Sequence, residues 1–203
     1  MKKVVNLLAI LVMAAAANAN ILISEYVEGT SYNKALELYN NSDSAVSLAG
    51  YVIKPYHNGT ATATYTIDLT GYTIGARDCF VLANPQAVST ILAVTDFQTG
   101  SINFNGDDAI ELLYNNDVID SFGQVGVDPG TEWPGGGLDD TLRRKSTILT
   151  GDTSSRNAFD TSIEWEVCAT NTFDGLGSHS VVPEPATMVL LGLGSLALLH
   201  RRK

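Results

Sequence analysis

Apolar and polar residues alternate along much of this 203-residue chain, and that alternation limits what it can fold into. In YTIDLT (65–70), SINFN (101–105) and IEWEV (163–167), apolar side chains stand at every second position. Successive side chains of a strand point to opposite faces, so a period of two with one polar face predicts half-buried antiparallel strands. Tyr65 shares the parity of the two aliphatic residues that follow it, which places it in the predicted core.

Six further segments have the composition of strands, and clusters of turn-forming residues separate them. They are ILISEYV, ALELYN, YVIKPY, CFVLAN, AIELLYN and VIDSF, and residues 58–59 and 105–107 are examples of the intervening turns. One helix is predicted from Pro85 to about Val94, with Asn84 as its cap. Many short strands at regular spacing are typical of an all-β fold, so we predict an antiparallel β-sandwich with one short helix.

The first 19 residues have the features of a secretory signal peptide. Two lysines precede an apolar run over residues 4–17, and Ala17-Asn18-Ala19 fits the small-residue cleavage pattern. We predict cleavage before Asn20 and export of the domain that follows, residues 20–180. An uncleaved membrane anchor is the alternative, which the shortness of the apolar run disfavours.

The last 23 residues, VVPEPATMVLLGLGSLALLHRRK (181–203), combine three features. Pro183-Glu184-Pro185 precedes 14 apolar or small residues (186–199), and a basic run follows. At about 1.5 Å per residue, those 14 residues fall short of the roughly 30 Å hydrocarbon core of a bilayer. The segment therefore suits recognition by a processing enzyme better than permanent anchoring. It closely resembles the PEP-CTERM sorting signal of Gram-negative bacteria.

That resemblance implies a processing route and a destination. In the family, an exosortase of the inner membrane recognises Pro-Glu-Pro and removes the anchor, so Pro183, Glu184 and Pro185, with Arg201 and Arg202, are the expected sorting residues. The implied partners are signal peptidase and exosortase, with transient membrane contact through the C-terminal segment. The implied destination is the cell surface or extracellular matrix of a Gram-negative bacterium. A simple C-terminal anchor is the alternative.

A second resemblance covers nearly all of residues 21–180. It rests on eight motifs in order: ISEYVEG, NKALELYN, VSLAGY, FNGDDAIELL, VIDSFGQVGVDPGTEW, TLRRKS, FDTSIEW and DGLGSHS. Together they resemble the bacterial lamin-tail domain, which implies an immunoglobulin-like sandwich for residues 20–180. This subtype is similar to domains that precede nuclease and phosphoesterase modules in secreted nucleases. Only the sorting segment follows His179 here, so the resemblance does not imply their nuclease activity.

The predicted domain is strongly acidic. The whole chain has a net charge of −10, and residues 20–180 carry seven Lys and Arg against 21 Asp and Glu, a net charge of −14. Such a body repels phosphate backbones unless cations bridge them, which makes nucleic acid the less favoured partner. Arg143 and Arg144, beside Lys145, are candidate contacts for phosphate or acidic sugar. A strand end that balances Asp139 and Asp140 is the alternative.

Two further groups of residues are candidates for ligand binding. Asp107 and Asp108, together with Glu25, are the candidate ligands of a Ca²⁺ ion, which takes about six to eight oxygens. Their spacing matches no EF-hand or Gly-Asp repeat, and ordinary turn formation is the alternative. Trp133, in the Pro-Gly-rich loop GVDPGTEWPGGG, is either a surface stacking residue or a lid over one end of the sandwich.

Cys79 and Cys168 are the two cysteines of a chain predicted to enter an oxidising compartment. A disulfide between them is the prediction, and it would contribute roughly 4 kcal/mol in the chain-entropy model. Cys168 shares the polar face of its predicted strand, so the bridge would form on the exterior or at an edge of a sheet.

The sequence predicts a protein that is not an enzyme. His57 and His179 are the histidines of the predicted domain, and G-x-S-x-G, H-E-x-x-H and Walker-type motifs are absent from the sequence. We therefore expect a binding or adhesion module at the cell surface, with extracellular polysaccharide as its candidate ligand and no cofactor unless Ca²⁺ binds. The alternatives are a nucleic-acid-binding accessory domain and a hydrolase whose site the sequence does not reveal.

Overall fold

A computed structural model describes residues 21–182. The predicted signal peptide and the segment from Pro183 onwards lie outside this range. Twelve strands and two short helices are found within it: β1 Ile21–Glu28, β2 Lys34–Asn40, β3 Val46–Ser47, β4 Tyr51–Tyr56, β5 Ile67–Asp68, β6 Thr73–Ile74, β7 Cys79–Ala83, α1 Ser89–Leu92, β8 Phe97–Gln98, β9 Ala109–Tyr114, β10 Asp117–Phe122, β11 Thr141–Arg144, α2 Thr161–Glu164 and β12 Trp165–Cys168.

Two sheets face each other across the core. The larger has six strands in the order β12-β11-β1-β2-β7-β8, and the smaller has four in the order β10-β9-β4-β5, with β3 and β6 as a separate pair. Every pairing is antiparallel except that of β7 with β8. The architecture is an immunoglobulin-like β-sandwich with short helices, which confirms the predicted fold class.

Aromatic residues from both sheets form the centre of the core. Tyr26 of β1 stacks on Phe122 of β10 and on Phe104, with ring centroids 4.2 Å and 4.5 Å away, and Trp165 meets the edge of the Phe122 ring. The Tyr26 hydroxyl donates a hydrogen bond to the Asn105 carbonyl oxygen at 2.9 Å, so the buried polar atom has a partner. These contacts fix the spacing between the two sheets.

A second apolar cluster lies on the outer face of the six-stranded sheet. Its members are Val27, Ala35, Val81, Ala83, Ala87, Ile91 and Leu176, with Leu92 and Phe173 packed against them. The α1 segment and residues 171–182, called the strap below, supply the covering side chains. This sheet is therefore buried on both faces, which explains why all of β1 and β2 is buried although only alternate residues face the main core.

The two ends of the sandwich differ. At one end, called the tail end, lie Ile21 and the Val182 amide, which donates to the Ser146 carbonyl oxygen at 2.8 Å. The opposite end, called the loop end, carries the long connections, residues 29–33, 57–66, 105–108 and 123–140. No helix within residues 21–182 has the length and apolar character needed to cross a membrane.

Four local predictions are wrong. The helix predicted from Pro85 begins only at Ser89, because the Asn84 side chain accepts from the Gln86 amide and forms a turn instead of a cap. The strand predicted from residue 163 begins two residues later, because Asp160 caps a helical turn and leaves Ile163 exposed.

Residues 101–105 bury their apolar side chains without forming a strand. Tyr65 is 41% exposed and meets the edge of the His57 ring, because β5 begins only at Ile67. Alternation with a period of two therefore identified buried residues in both segments. It also predicted strand pairing at residues that form no strand in the structure.

Candidate functional site

The predicted basic cluster, residues 143–145, binds groups of the domain itself. Arg144 is 2% exposed and lies in the core between Asp120 at 3.2 Å and Glu164 at 2.8 Å, with its guanidinium 4.8 Å from the centre of the Trp165 ring. Asp120 also accepts the backbone amide of Ile23 at 2.7 Å. Burial raises the pKa of Asp120, and Arg144 opposes that rise. Arg144 therefore connects the two sheets through its ion pair with Asp120. Because it is buried, the prediction that it contacts an external ligand is wrong.

The neighbouring cations have internal partners as well. Arg143 bridges the carboxylates of Glu25, at 3.2 Å, and Asp174. The Lys145 ammonium donates to the carbonyl oxygens of Ser162 at 2.6 Å and Ile163 at 3.0 Å. These side chains do not balance Asp139 and Asp140, the partners considered from sequence. Neither do they form a free basic patch for phosphate.

Trp133 is a lid over the loop end. It is 2% exposed, its indole N–H donates to the Asp108 carbonyl oxygen at 3.0 Å, and its ring meets the edge of Phe159. Stacking on an external ligand needs an exposed ring face, so the interpretation of Trp133 as a surface stacking residue is wrong.

The three candidate calcium ligands do not share a site. Asp108 lies at the loop end, where its carboxylate accepts the amides of Asn58 at 2.8 Å and Asn105 at 2.9 Å. Glu25 instead faces the strap on the outer side of the six-stranded sheet, beside Arg143. Asp107 adjoins Asp108, and one of its buried oxygens lacks a hydrogen-bond partner. Within residues 21–182, no three histidine, cysteine, aspartate or glutamate side chains converge as a metal site.

The two cysteines are free, so the predicted disulfide is wrong. Cys168 lies on β12 and Cys79 on β7, four strand spacings apart in the same sheet. At about 4.8 Å per spacing, the separation is roughly 19 Å, far beyond the ~7 Å limit for the Cα atoms of a disulfide. Burial raises the pKa of both thiols.

A shallow groove that the sequence did not predict lies over the outer face of the four-stranded sheet. The loop Thr153–Asn157 lines a cavity of about 250 Å³. Beneath it, Glu111 is buried and accepts hydrogen bonds from the Ser155 hydroxyl, at 2.6 Å, and from the Tyr56 hydroxyl. Burial, followed by the bond to Glu111, raises the pKa of Tyr56, so its hydroxyl remains a donor. These bonds fix the floor of the groove.

Two positively charged side chains, Lys54 and Arg156, lie near this groove. Lys54 is the cross-strand neighbour of Glu111, and Arg156 belongs to the lining loop, close enough for its charge to oppose the rise in the pKa of Tyr56. Within the described residues, they are the Lys and Arg side chains that form no ion pair and donate no hydrogen bond. We call Lys54, Arg156 and the Thr153–Asn157 loop the groove site.

Two family models match the chain. The Lamin Tail Domain model matches residues 14–126, more than half of the chain, and the PEP-CTERM protein-sorting motif matches residues 181–203. The first match begins inside the predicted signal peptide and ends before β11 and β12, which complete the six-stranded sheet. The search of curated proteins finds no match. A domain type without catalysis of its own and a sorting signal are thus the two recognised parts.

Proposed function

Since the chain belongs to the lamin tail domain family and carries a PEP-CTERM sorting motif, we propose that it is a non-catalytic module that binds extracellular polysaccharide. The motif implies export, processing by exosortase, and a cell-surface or extracellular destination in bacteria. The proposal adds the ligand class, the groove site as the binding site and a Gram-negative host.

The observation that carries this proposal is the groove site. Its lining offers hydroxyl groups, an asparagine side chain and backbone polar groups, which are the partners that sugar hydroxyls need. Lys54 and Arg156 add positive charge on a domain that is otherwise acidic, which suits uronate or other acidic sugar units. The cavity is smaller than the roughly 300–1,000 Å³ of drug-sized ligand pockets, so it fits one unit of a polymer that continues along the surface.

The position of the groove site agrees with this role. The Arg156 guanidinium and the Ala61 side chain both lie close to Gly126, which belongs to a connection of the loop end. The Pro-Glu-Pro motif, residues 183–185, follows Val182, whose amide is bonded at the tail end. A polymer at the groove site can therefore bind while the tail end is still held at a membrane.

Nucleic acid is a weaker candidate on the same evidence. Arg143, Arg144 and Lys145 are engaged internally, and two free cations would give a logarithmic salt slope of only about −1.8 on duplex DNA. The surrounding net charge of −14 for residues 20–180 opposes even that contact.

Co-sedimentation tests the proposal. Residues 20–182 contain both sheets and the strap, so this fragment can be incubated with the host exopolysaccharide or with DNA, at two salt concentrations and with calcium or chelator. We expect retention on the polysaccharide and a loss of about tenfold in affinity for Arg156→Gln or Lys54→Gln, as charged hydrogen bonds are removed.

The matched control is Arg77→Gln, which removes an exposed arginine at the tail end, paired with Asp43. Its affinity should equal that of the unaltered protein. Retention on DNA alone, or equal affinity of the groove variants and the control, would contradict the proposal.

A further inference from the structure

The strap, residues 171–182, runs along the outer face of the six-stranded sheet from the loop end to the tail end. Near the loop end, the Asn171 side chain accepts the Thr30 amide at 3.0 Å. In the middle, Leu176 is buried in the outer apolar cluster. At the tail end, the bond between the Val182 amide and Ser146 holds the chain one residue before Pro183. The strap thus joins the folded domain directly to the sorting motif.

Polar contacts also hold the strap. The Gly177 amide donates to a Glu37 carboxylate oxygen at 2.6 Å, and Asp174 pairs with Arg143. The other Glu37 oxygen accepts the Ser24 hydroxyl at 2.6 Å. Each of these contacts breaks if the strap leaves the sheet, except the bond to Ser24.

Part of the surface beneath the strap is costly to bury. Glu25 and Glu37 are directly opposed on neighbouring strands, and the strap leaves them 2% and 0% exposed. One Glu25 oxygen is buried without any hydrogen-bond partner. Burying like-charged, incompletely paired carboxylates costs free energy, and water would solvate them if the strap opened. The strap is therefore held by the apolar contacts of Leu176 and Phe173 and by the polar contacts above, and the cost of burying the two glutamates opposes them.

We propose that the strap is a detachable clasp that controls access of the exosortase to the sorting motif. While the strap is docked, Pro183 is one residue from a fixed contact with the sandwich, and an enzyme must approach the folded domain to reach it. When the strap is released, its 12 residues form a tether of up to roughly 40 Å, which separates the motif from the domain. Processing enzymes act on such locally opened, extended segments. This role is independent of the groove site.

The existing Cys79 offers a way to lock the clasp. Cys79 lies beside His179 of the strap, because the His179 ring packs 5.0 Å from the ring of Tyr39, the cross-strand neighbour of Cys79. In the full-length precursor expressed in its host, His179→Cys should form a disulfide with Cys79 and hold the strap docked. We expect processing, measured as conversion of precursor to the shorter form by mass, to slow about tenfold or more, and reductant to restore it. His57→Cys is the matched control, because it adds a cysteine at the loop end, in the connection that follows β4.

A second variant opens the clasp. Leu176→Ala removes apolar contacts of the strap, and we expect the Gly177 amide to exchange with deuterium about tenfold faster or more and the precursor to be processed faster. Leu138→Ala, at a half-exposed leucine of the loop end, is the control for the same chemical change. A disulfide-locked precursor processed at the normal rate would overturn the proposal. So would a Leu176→Ala precursor whose strap exchanges faster but which is processed no faster.

Discussion

The buried carboxyl of Glu25 gives the domain a pH dependence that can be measured directly. Burial, the largest influence, raises the pKa of Glu25 from 4.5 to about 7, against the attraction of Arg143. The other groups facing it are Glu37 of β2, Asp174 of the strap and, on β12, Cys168. Because the folded state favours the protonated acid, the contribution of this group to stability is full below pH 4.5 and is lost as the pH rises through 7.

The magnitude follows from the change in pKa. Moving the pKa of one carboxyl from 4.5 to about 7 corresponds to roughly 3 kcal/mol in the free energy of unfolding. Glu25→Gln replaces the acid with a neutral side chain of the same shape that does not titrate. Relative to this variant, the unaltered domain should therefore lose roughly 3 kcal/mol between about pH 4 and pH 8.

Urea unfolding of residues 20–182 at a series of pH values measures this difference. The control is Asp117→Asn, which changes an exposed carboxyl at the start of β10. Comparing the two variants separates the effect of Glu25 from the titration of all other acids. A difference between Glu25→Gln and the unaltered domain that is constant with pH, or that grows in favour of glutamate at high pH, would refute the reasoning.

Three further predictions follow from other contacts. Asp120→Asn should cost about 3–5 kcal/mol in urea unfolding, because it leaves the buried Arg144 with only Glu164, whereas Asp117→Asn should cost little. Trp133→Phe should cost about 1 kcal/mol, because it removes the hydrogen bond to Asp108, and should leave polysaccharide retention unchanged; a loss of retention would restore Trp133 as a ligand contact. Denatured, unreduced protein should give two reactive thiols per chain in a thiol assay, since Cys79 and Cys168 do not pair; none would indicate a disulfide.

The sequence predicted the strands whose residues contact the core continuously. YVIKPY corresponds to β4 over its full length, and β1, β2 and β9 begin within two residues of the predicted segments. The predicted strand boundaries were wrong where a hydrogen bond from a nearby side chain replaced the backbone hydrogen bonds between strands. The Asp160 side chain accepts the Ser162 amide and turns the chain into a helical turn, although Ile163 has the parity of a strand residue.

The candidate site was harder to predict because its partners are distant in sequence. The charge of Arg144 is visible in the sequence, but its burial depends on Asp120, which lies on the other sheet. The predicted disulfide was wrong for the same reason, because the order of strands in the sheet determines the distance between Cys79 and Cys168. The groove depends on Glu111, 44 positions before Ser155. The one local signal was the polar run TSSRN, which looks like an ordinary surface loop.

Ligand binding and processing are assigned to opposite faces of the sandwich, which makes the two proposals separable. The groove site lies on the outer face of the four-stranded sheet, and the strap lies on the outer face of the six-stranded sheet. The aromatic core separates them, and effects of substitutions that share no partner add independently. Arg156→Gln should therefore weaken polysaccharide retention and leave the rate of processing unchanged. Leu176→Ala should do the reverse, because Leu176 packs in the apolar cluster on the outer face of the six-stranded sheet. If either variant altered both measurements, the two faces would be coupled, and the sandwich would transmit strap release to the binding site.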